Sequence, residues 1–436
     1  MNEQRITAVR ASVAHCLRDP GEGNDAAATE YLPDGVMVIE GGRVRMLGPA
    51  DEVLPRLPSD VVVTDYRGHL IVPGFVDIHV HYPQTDMIAS YGEQLLAWLN
   101  RYTFPEERRF GDAEVAAETA EFFLDELLRN GTTSALVLGT VHPESVSAVL
   151  GAARRRRMRM VAGKVLMDRH APEWLRDTAQ TGYEQSRALI ERWHGVDRLG
   201  YAITPRFAPT STEHQLELAG RLAREFPDVY VHTHVAENPD EVAWVAELFP
   251  WSRSYLEVYD RYGLVRERAV YAHCIYLDER DRRRMSESGA VAAFCPTSNL
   301  FLGSGLFDYG EASRHGVHVG LATDVGGGTS FSMIETVAEA YKVSALKGLA
   351  LPPERLLYLA TLAGARALDL DDRIGSFREG READFVVLDP EATPLMARRM
   401  GRAETFAERL FAMLTLGDDR CVAETWIAGE RAWRRS

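Results

Sequence analysis

Two histidines, His79 and His81, lie two positions apart at the end of an apolar run that has the pattern of a β-strand. Side chains alternate between the two faces of a strand, so residues i and i+2 share a face. Two imidazoles on one face are what two ligands of a single metal ion require. The pair alone is weak evidence, because buried and surface histidines share this spacing by chance, but its place at a strand end strengthens it.

Three later apolar runs also end in residues that bind metals or move protons. They end in His234, which Glu237 follows three positions later, in His273 and in Asp324. A carboxylate at the end of an apolar run is costly in a protein core unless its charge has a partner, and a divalent cation is such a partner. Imidazoles with a carboxylate suit Zn²⁺, or Fe²⁺ in the same geometry. Each residue alone could be structural, but together they favour one metal site.

The elements that must position these residues follow from the hydrophobic pattern. Strand-like runs alternate with amphipathic stretches such as 112–129, which has helical spacing. This alternation predicts an α/β fold with a metal-bearing (β/α)8 TIM barrel over residues 72–371, whose active site lies at the carboxyl ends of the strands. The predicted strands cover residues 70–80, 132–138, 159–167, 200–206, 229–235, 269–274, 290–294 and 317–323.

The two ends of the chain have a different character. Short β segments with turns precede the barrel, and β character returns after about residue 372. We expect residues 1–71 and 372–436 to form one small β-sandwich domain around the inserted barrel. Two independent appendages are the alternative, which is disfavoured because each would bury little apolar area.

Composition excludes several classes of function. The chain has 436 residues and a net charge of −15, which argues against binding to nucleic acid or to anionic membranes. The basic run Arg154 to Arg157 is interpreted as a solvated helix end. The four cysteines are far apart, without a Cys-x-x-Cys pair, so a cysteine-based zinc site is not expected. No apolar run has the length of a membrane span, and residues 1–10 carry charges and lack the apolar region of a signal peptide, so we expect a cytoplasmic protein.

Longer motifs carry a resemblance to known proteins. On Pro73-Gly-Phe-Val-Asp-Ile-His79-Val-His81 and Gly380-Arg-Glu-Ala-Asp384, the chain resembles the amidohydrolase superfamily. Further blocks resemble the guanine deaminase family within it, and together the blocks run from about residue 73 to 385. These blocks are Gln84, Trp98-Leu-Asn-Arg-Tyr102-Thr-Phe-Pro105, Gly163-Lys-Val-Leu-Met-Asp168, Thr204-Pro-Arg206-Phe207, His234-Val-Ala-Glu237-Asn, Cys295-Pro-Thr-Ser-Asn299 and Thr323-Asp324-Val-Gly-Gly-Gly328.

The resemblance implies one zinc ion per chain, with Fe²⁺ as the alternative metal. The implied metal group is His79, His81, His234, Asp324 and His273, of which His273 either binds the metal or contacts its water. His232 shares a strand face with His234 and competes with it on geometry. Because Glu237 follows His234 at +3, His232 is predicted to pack below the site. Lys164 lies towards the start of its predicted strand, which disfavours a carboxylated lysine that bridges two metals.

The implied reaction is the hydrolytic deamination of guanine at C2, which gives xanthine and ammonia. A metal-activated water attacks C2, and Glu237 carries a proton from that water to N3 of the ring. Asp324 relays a proton to the leaving amine, and His273 holds the water or the developing oxyanion.

The resemblance places Arg206 and the backbone of Phe207 against O6 and N7 of guanine, and Gln84 against the ring nitrogens. A guanidinium only donates hydrogen bonds, so Arg206 suits a keto oxygen and opposes the 6-amino group of adenine. The alternative for Arg206 is a surface ion pair.

Two other functions remain open at this point. One is an amidohydrolase that deaminates or dechlorinates another heterocycle, such as a pterin or a triazine. The other is a non-catalytic protein that kept the fold, which is disfavoured because every implied ligand and Glu237 are present. The expected partner is therefore a small-molecule substrate, guanine, and the resemblance implies a homodimer.

Overall fold

The computed structural model describes residues 6–21, 25–92 and 94–436. Residues 1–5 and 22–24, which belong to the predicted terminal domain, lie outside the described residues. The described strands are β1 (Ile6–Cys16), β2 (Thr29–Glu40), β3 (Arg43–Pro49), β4 (Val62–Pro73), β5 (Phe75–His81), β6 (Thr132–Leu138), β7 (Arg159–Gly163), β8 (Val165–Leu166), β9 (Leu199–Pro205), β10 (Tyr230–Val235), β11 (Ala269–His273), β12 (Val291–Phe294), β13 (His318–Leu321), β14 (Phe385–Leu388), β15 (Val422–Ile427) and β16 (Glu430–Arg434).

Helices follow most strands of the barrel, and a π-helical turn at Leu99–Thr103 joins the second helix to the third. The helices are α1 (Ala50–Val53), α2 (Leu95–Trp98), α3 (Phe104–Arg108), α4 (Ala113–Arg129), α5 (Pro143–Arg155), α6 (Ala179–Trp193), α7 (Glu213–Glu225), α8 (Pro239–Leu248), α9 (Tyr255–Asp260), α10 (Glu279–Ser288), α11 (Pro296–Phe301), α12 (Tyr309–Arg314), α13 (Met333–Leu346), α14 (Pro353–Ala360), α15 (Leu362–Ala367), α16 (Pro394–Met400) and α17 (Phe406–Leu416). None of the described helices is long and apolar enough to span a bilayer.

A ring of parallel strands forms the barrel, in the order β5, β6, β7, β9, β10, β11, β12 and β13, with β8 paired to β9. The two ends of this order meet beside the first histidines. The His81 N–H donates to the carbonyl of Val325 (2.8 Å), and the Asp324 N–H donates to the carbonyl of His79 (3.0 Å). The predicted (β/α)8 barrel is therefore confirmed, and its closure brings the first and last predicted metal ligands together.

The first predicted strand, 70–80, is divided between two sheets in the structure. Its beginning belongs to β4 and its end to β5, with Gly74 between them. The Gly74 N–H donates to Asp384 of the outer sheet, while the next N–H, of Phe75, donates to Gly131 of the barrel (both 3.0 Å). A Cβ on Gly74 would lie 2.1 Å from Thr133 Oγ1, so only glycine fits this crossing point. The hydrophobic pattern is continuous here because both strands are buried.

The outer sheet unites the two ends of the chain. Its order is β16, β15, β14, β4, β1, β2 and β3, so strands from the carboxyl end pair directly with strands from the amino end. In the central pair, β14 runs antiparallel to β4, with Phe385 opposite Pro73. This confirms the predicted β unit built from both termini, which the structure forms as one seven-stranded sheet.

A buried ion-pair network joins this sheet to the amino-terminal end of the barrel. Glu382 accepts from Arg159 Nε (3.1 Å) and from Arg198 Nη2 (2.6 Å), and Arg198 also pairs with Asp384. Burial would raise the pKa of the Glu382 carboxyl. The hydrogen bond from Arg159 and the charges of the two arginines outweigh burial and hold that pKa below its ordinary value.

Replacing Glu382 by Gln is expected to lower the free energy of unfolding at pH 7 by about 3–5 kcal/mol, because two buried guanidiniums lose their shared charge. The folded-state pKa of Glu382 lies below the unfolded one, so its stabilisation is complete above the unfolded-state pKa and is lost as the pH falls through the folded-state pKa. Denaturant titrations should therefore show a smaller difference between E382Q and wild type in acid than at pH 7.

The matched control is Glu191→Gln, which removes an exposed pair with Arg187 on α6. That change should cost less than about 1 kcal/mol. Equal losses in the two variants, or a Glu382 effect that does not shrink in acid, would contradict the account of this network.

Candidate active site

Four side chains converge at the carboxyl ends of the barrel strands. His79 and His81 come from β5, His234 comes from β10, and Asp324 lies three residues after β13. His81 Nε2 lies 3.3 Å from His79 Nε2 and 3.2 Å from His234 Nε2. Asp324 Oδ1 lies 3.0 Å from His79 Nε2 and 3.3 Å from His81 Nε2. Four ligand-type atoms thus face one another in a buried space.

The donor set fits a divalent cation. A tetrahedral zinc site with ligand distances of about 2.0–2.1 Å has ligand-to-ligand separations of about 3.3–3.4 Å, close to those found here. Burial lowers the pKa of His81 to about 4, and burial followed by the neighbouring imidazoles lowers the pKa of His234 well below its ordinary value. A neutral imidazole has a nitrogen lone pair that can bind a metal ion, and here three such rings surround one carboxylate.

Outer contacts orient two of these rings. His234 Nδ1 lies 2.6 Å from the carbonyl of Arg206 and donates to it, which leaves the lone pair on Nε2. His79 Nδ1 lies 2.7 Å from His232 Nε2. His232 is therefore a buried neighbour of His79 behind the cluster and does not join the group of four.

His273 lies at the edge of the cluster. Its Nε2 is 3.3 Å from Glu237 Oε2 and 3.9 Å from Asp324 Oδ2. Asn299 Nδ2 lies 2.9 Å from His273 Nδ1, a contact that orients the imidazole ring. With a proton on Nε2, His273 can donate a hydrogen bond to an oxygen between the two carboxylates, and without that proton Nε2 can bind a metal.

Glu237 is buried just beyond β10 and is held from two sides. Ser304 Oγ donates to its Oε1 at 2.8 Å, and its backbone N–H donates to the Glu241 carboxylate at 2.9 Å. Burial, and then the nearby carboxylates of Glu241 and Asp324, raise the pKa of Glu237 well above its ordinary value. A carboxyl with a raised pKa exchanges protons more readily near neutral pH.

The ends of the strands are strained where they turn into the site. Ala236, His273, Cys274 and Asp324 have φ values of 50°, 73°, 53° and 52°, a left-handed conformation that costs of order 1–3 kcal/mol for a residue with a side chain. The backbone thus takes the same unfavourable conformation at or just after the ends of three barrel strands. Such strain persists where packing fixes it, and it clusters at functional sites.

A cavity lies directly above the cluster. One side carries Arg206 and Gln84, both buried, and the apolar wall includes Phe207 and Trp98. The cavity therefore combines flat apolar surface with a few polar donors and acceptors, as pockets for planar heterocycles do.

Comparison with known proteins agrees with this geometry. The model of the amidohydrolase family matches residues 70–432. The chain belongs to the amidohydrolase family. It is 51% identical over 437 residues to the guanine deaminase of Escherichia coli K12, which covers 100% of this chain and 99% of that protein.

Solved structures of amidohydrolase relatives match over nearly the whole chain. The guanine deaminase of Bradyrhizobium japonicum is 39% identical, with a TM-score of 0.95 over 99% of this chain and 100% of the other. The guanine deaminase of C. acetobutylicum with bound guanine is 26% identical, with a TM-score of 0.89 over 98% of this chain and 100% of the other.

One residue behind the wall of the amidohydrolase pocket was not predicted from the sequence. Glu107, on α3, is fully buried and accepts from Arg206 Nη1 through both oxygens, at 2.9 and 2.7 Å. The alternative of a surface ion pair for Arg206 is therefore wrong, because its partner lies inside the pocket wall. A glutamate in the first turn of a helix is common, so the sequence carries no signal for this role.

Two further contacts involve residues to which the sequence analysis assigned no role. Ser304 lies in the loop after α11 and holds Glu237, while Asn299 lies within the quoted Cys295–Asn299 block without an assigned role. Lys164 is occupied elsewhere, since its Nζ pairs with Asp177 and donates to the carbonyl of Val165. Its position therefore gives no support to a bridging role.

Proposed function

We propose that this amidohydrolase catalyses the zinc-dependent hydrolysis of guanine to xanthine and ammonia. The observation that carries the proposal is the cavity in which buried Arg206 and Gln84 stand beside a cluster of metal-ligand atoms. The similarity to guanine deaminases, one of them with guanine in its active site, supports the same substrate class.

The metal would be held by His79, His81, His234 and Asp324, with His273 as a further ligand or as a contact of the bound water. We propose one zinc per chain, with Fe²⁺ as the alternative for the same donors. A bound zinc ion supplies hydroxide at neutral pH, because it lowers the pKa of coordinated water towards about 7.

The protein's own residues then move the protons. Glu237 takes a proton from the attacking water through Oε2 and gives it to N3 of the ring, while Ser304 keeps Oε1 in place. A C2–O bond forms, and the bond from C2 to the amino nitrogen breaks. Asp324 passes the second proton to the leaving amine, which departs as ammonia. The Nε2–H of His273 faces both carboxylates and can hold the attacking oxygen.

Guanine specificity would come from the polar side of the cavity. Arg206 donates to O6, with the Phe207 backbone beside it, and Gln84 meets the ring nitrogens. A guanidinium has only hydrogen-bond donors, and the 6-amino group of adenine is a donor as well. With adenine bound, the donors of Arg206 would therefore lack an acceptor in a buried pocket. Trp98 and the Phe207 ring line the cavity and would supply apolar surface for the flat faces of the guanine ring.

Replacing Arg206 by Ala is expected to lower kcat/KM for guanine by about 10–150-fold, the cost of a lost hydrogen bond to a charged donor, while the metal content stays at the wild-type level. Arg206→Lys preserves the charge beside Glu107 but removes the planar fork, so it should recover only part of the loss. Steady-state kinetics with metal analysis provide the measurement. Wild-type kinetics in both variants would remove Arg206 from the substrate site.

The function itself is tested by ammonia release from a panel of guanine, adenine, a pterin and a triazine. We expect guanine to be the preferred substrate by kcat/KM. Preference for a pterin or a triazine, with guanine unchanged, would assign the same metal site to another heterocycle.

For the assembly we propose a cytoplasmic homodimer of chains that each divide into residues 72–371 and a composite domain of 1–71 and 372–436. All four cysteines are buried and free, which suits a reducing compartment. Light scattering after size-exclusion chromatography tests the dimer, and a monomeric mass would contradict it.

A further inference from the structure

We propose that Glu107 is a positioning and specificity-determining residue, which makes the Arg206 and Gln84 pair recognise a neutral oxo-heterocycle and reject an anionic one. This inference rests on the proposed function, because it assigns the substrate chemistry of the same cavity. Glu107 lies behind the residues that line the cavity, so it acts through its two hydrogen-bond partners, Arg206 and Gln84.

Glu107 and Phe104 hold the guanidinium of Arg206 in place. Both contacts with Glu107 use Nη1, and a guanidinium carries further donors on Nη2 and Nε. The Phe104 ring, from the same short helix, lies 5.6 Å from the guanidinium carbon. Arg206 is thus held by a carboxylate and an aromatic ring, which lowers the conformational entropy that binding would cost.

Glu107 also orients the side-chain amide of Gln84. Its Nε2 donates to Glu107 Oε1 at 3.0 Å, and its Oε1 accepts from the Gly326 N–H at 3.2 Å. An acceptor on one side and a donor on the other allow only one orientation of this amide. Glu107 therefore decides which edge of Gln84 faces the cavity.

Glu107 also balances the positive charge of Arg206. Arg206 is buried, and a buried guanidinium needs a negative partner. Glu107 supplies that charge from the protein, so the pair is neutral before any ligand binds. Without it, the most favourable partner for Arg206 would be an anionic ligand, as in sites where arginine binds carboxylate or phosphate. Guanine, which is neutral, suits the compensated pair.

The test measures binding separately from turnover. Hypoxanthine is a neutral 6-oxopurine without the 2-amino group, and purine-6-carboxylate places an anion near the same position. Calorimetric titrations of the metal-loaded protein would compare wild type, Glu107→Gln and Glu107→Asp. Glu424→Gln is the matched control, since it neutralises another buried glutamate that pairs with an arginine, Arg431, in the outer sheet.

For E107Q we expect hypoxanthine binding to weaken by about tenfold or more, while purine-6-carboxylate binds more tightly than to wild type. For guanine, KM should rise while kcat stays within about threefold of the wild-type value. This is the result expected when the lost contact is made equally in the ground state and the transition state. E107D should lie nearer to wild type, and E424Q should match it.

The inference would be overturned if E107Q bound both ligands more weakly to the same extent, or if its preference between them were unchanged. It would also be overturned if the wild type did not prefer hypoxanthine to purine-6-carboxylate. Failure of the proposed function is a separate result. In that case the wild-type protein would prefer hypoxanthine and E107Q would not, but the wild type would release no ammonia from guanine. This result would contradict guanine deamination and leave the role of Glu107 standing.

Discussion

Replacing Glu237 by Gln is expected to lower kcat for guanine by about 10²–10⁴ while the metal content stays unchanged. Glutamine keeps the shape and can still accept from Ser304, but it cannot take a proton from water or pass one to N3. Because Glu237 is not one of the four clustered ligand residues, its loss should leave the metal site intact. Steady-state kinetics on metal-analysed protein provide the measurement.

The control for this variant is Ser304→Ala, which removes the hydrogen bond to Glu237 Oε1 and leaves the carboxylate in place. Its effect on kcat should be well below that of E237Q, since the proton acceptor remains. An E237Q variant that retains a tenth of the wild-type rate would exclude Glu237 as the sole proton carrier.

The second large effect is expected for Asp324→Asn. Asp324 supplies the negative charge of the four-residue cluster, and its Oδ1 lies within 3.3 Å of two imidazole nitrogens. An amide in its place leaves a divalent cation with neutral donors alone. We expect metal affinity to fall by more than about 100-fold, beyond the usual cost of losing a residue that only orients a ligand. Deamination should fall to background.

The measurement is metal content after dialysis against a weak chelator, followed by activity with added zinc. Asp281→Asn is the matched control, because Asp281 is a buried aspartate that pairs with Arg253 on the outside of the barrel. D281N should retain its metal. A D324N protein with full metal content and near wild-type activity would remove Asp324 from the metal site.

The sequence predicted the cluster because its residues stand at the ends of apolar strands. Parallel strands carry their carboxyl ends to one edge of a barrel, so His81, His234 and Asp324 could be expected to meet although they are far apart along the chain. Strand alternation likewise predicted that His79 and His81 share a face. These signals are local, and the fold turns them into proximity.

The contacts that were missed have no local signal. Glu107 reaches Arg206 across 99 positions, and Ser304 reaches Glu237 across 67. Both lie outside the barrel strands, where neither periodicity nor strand ends constrain a polar residue. The crossing of the chain between two sheets at Gly74 could not be predicted from the sequence for the same reason, because it depends on contact with Thr133 of a neighbouring strand. Such pairings become visible only when tertiary packing is known.

The most direct test of the central claim is guanine turnover in oxygen-18 water with protein of known metal content. We expect one ammonia and one xanthine per guanine, with a single oxygen-18 atom at C2. The rate should vanish on removal of the metal and return with one zinc per chain. Unlabelled product, turnover that is independent of metal, or guanine that remains intact would contradict metal-dependent hydrolysis of guanine at this site.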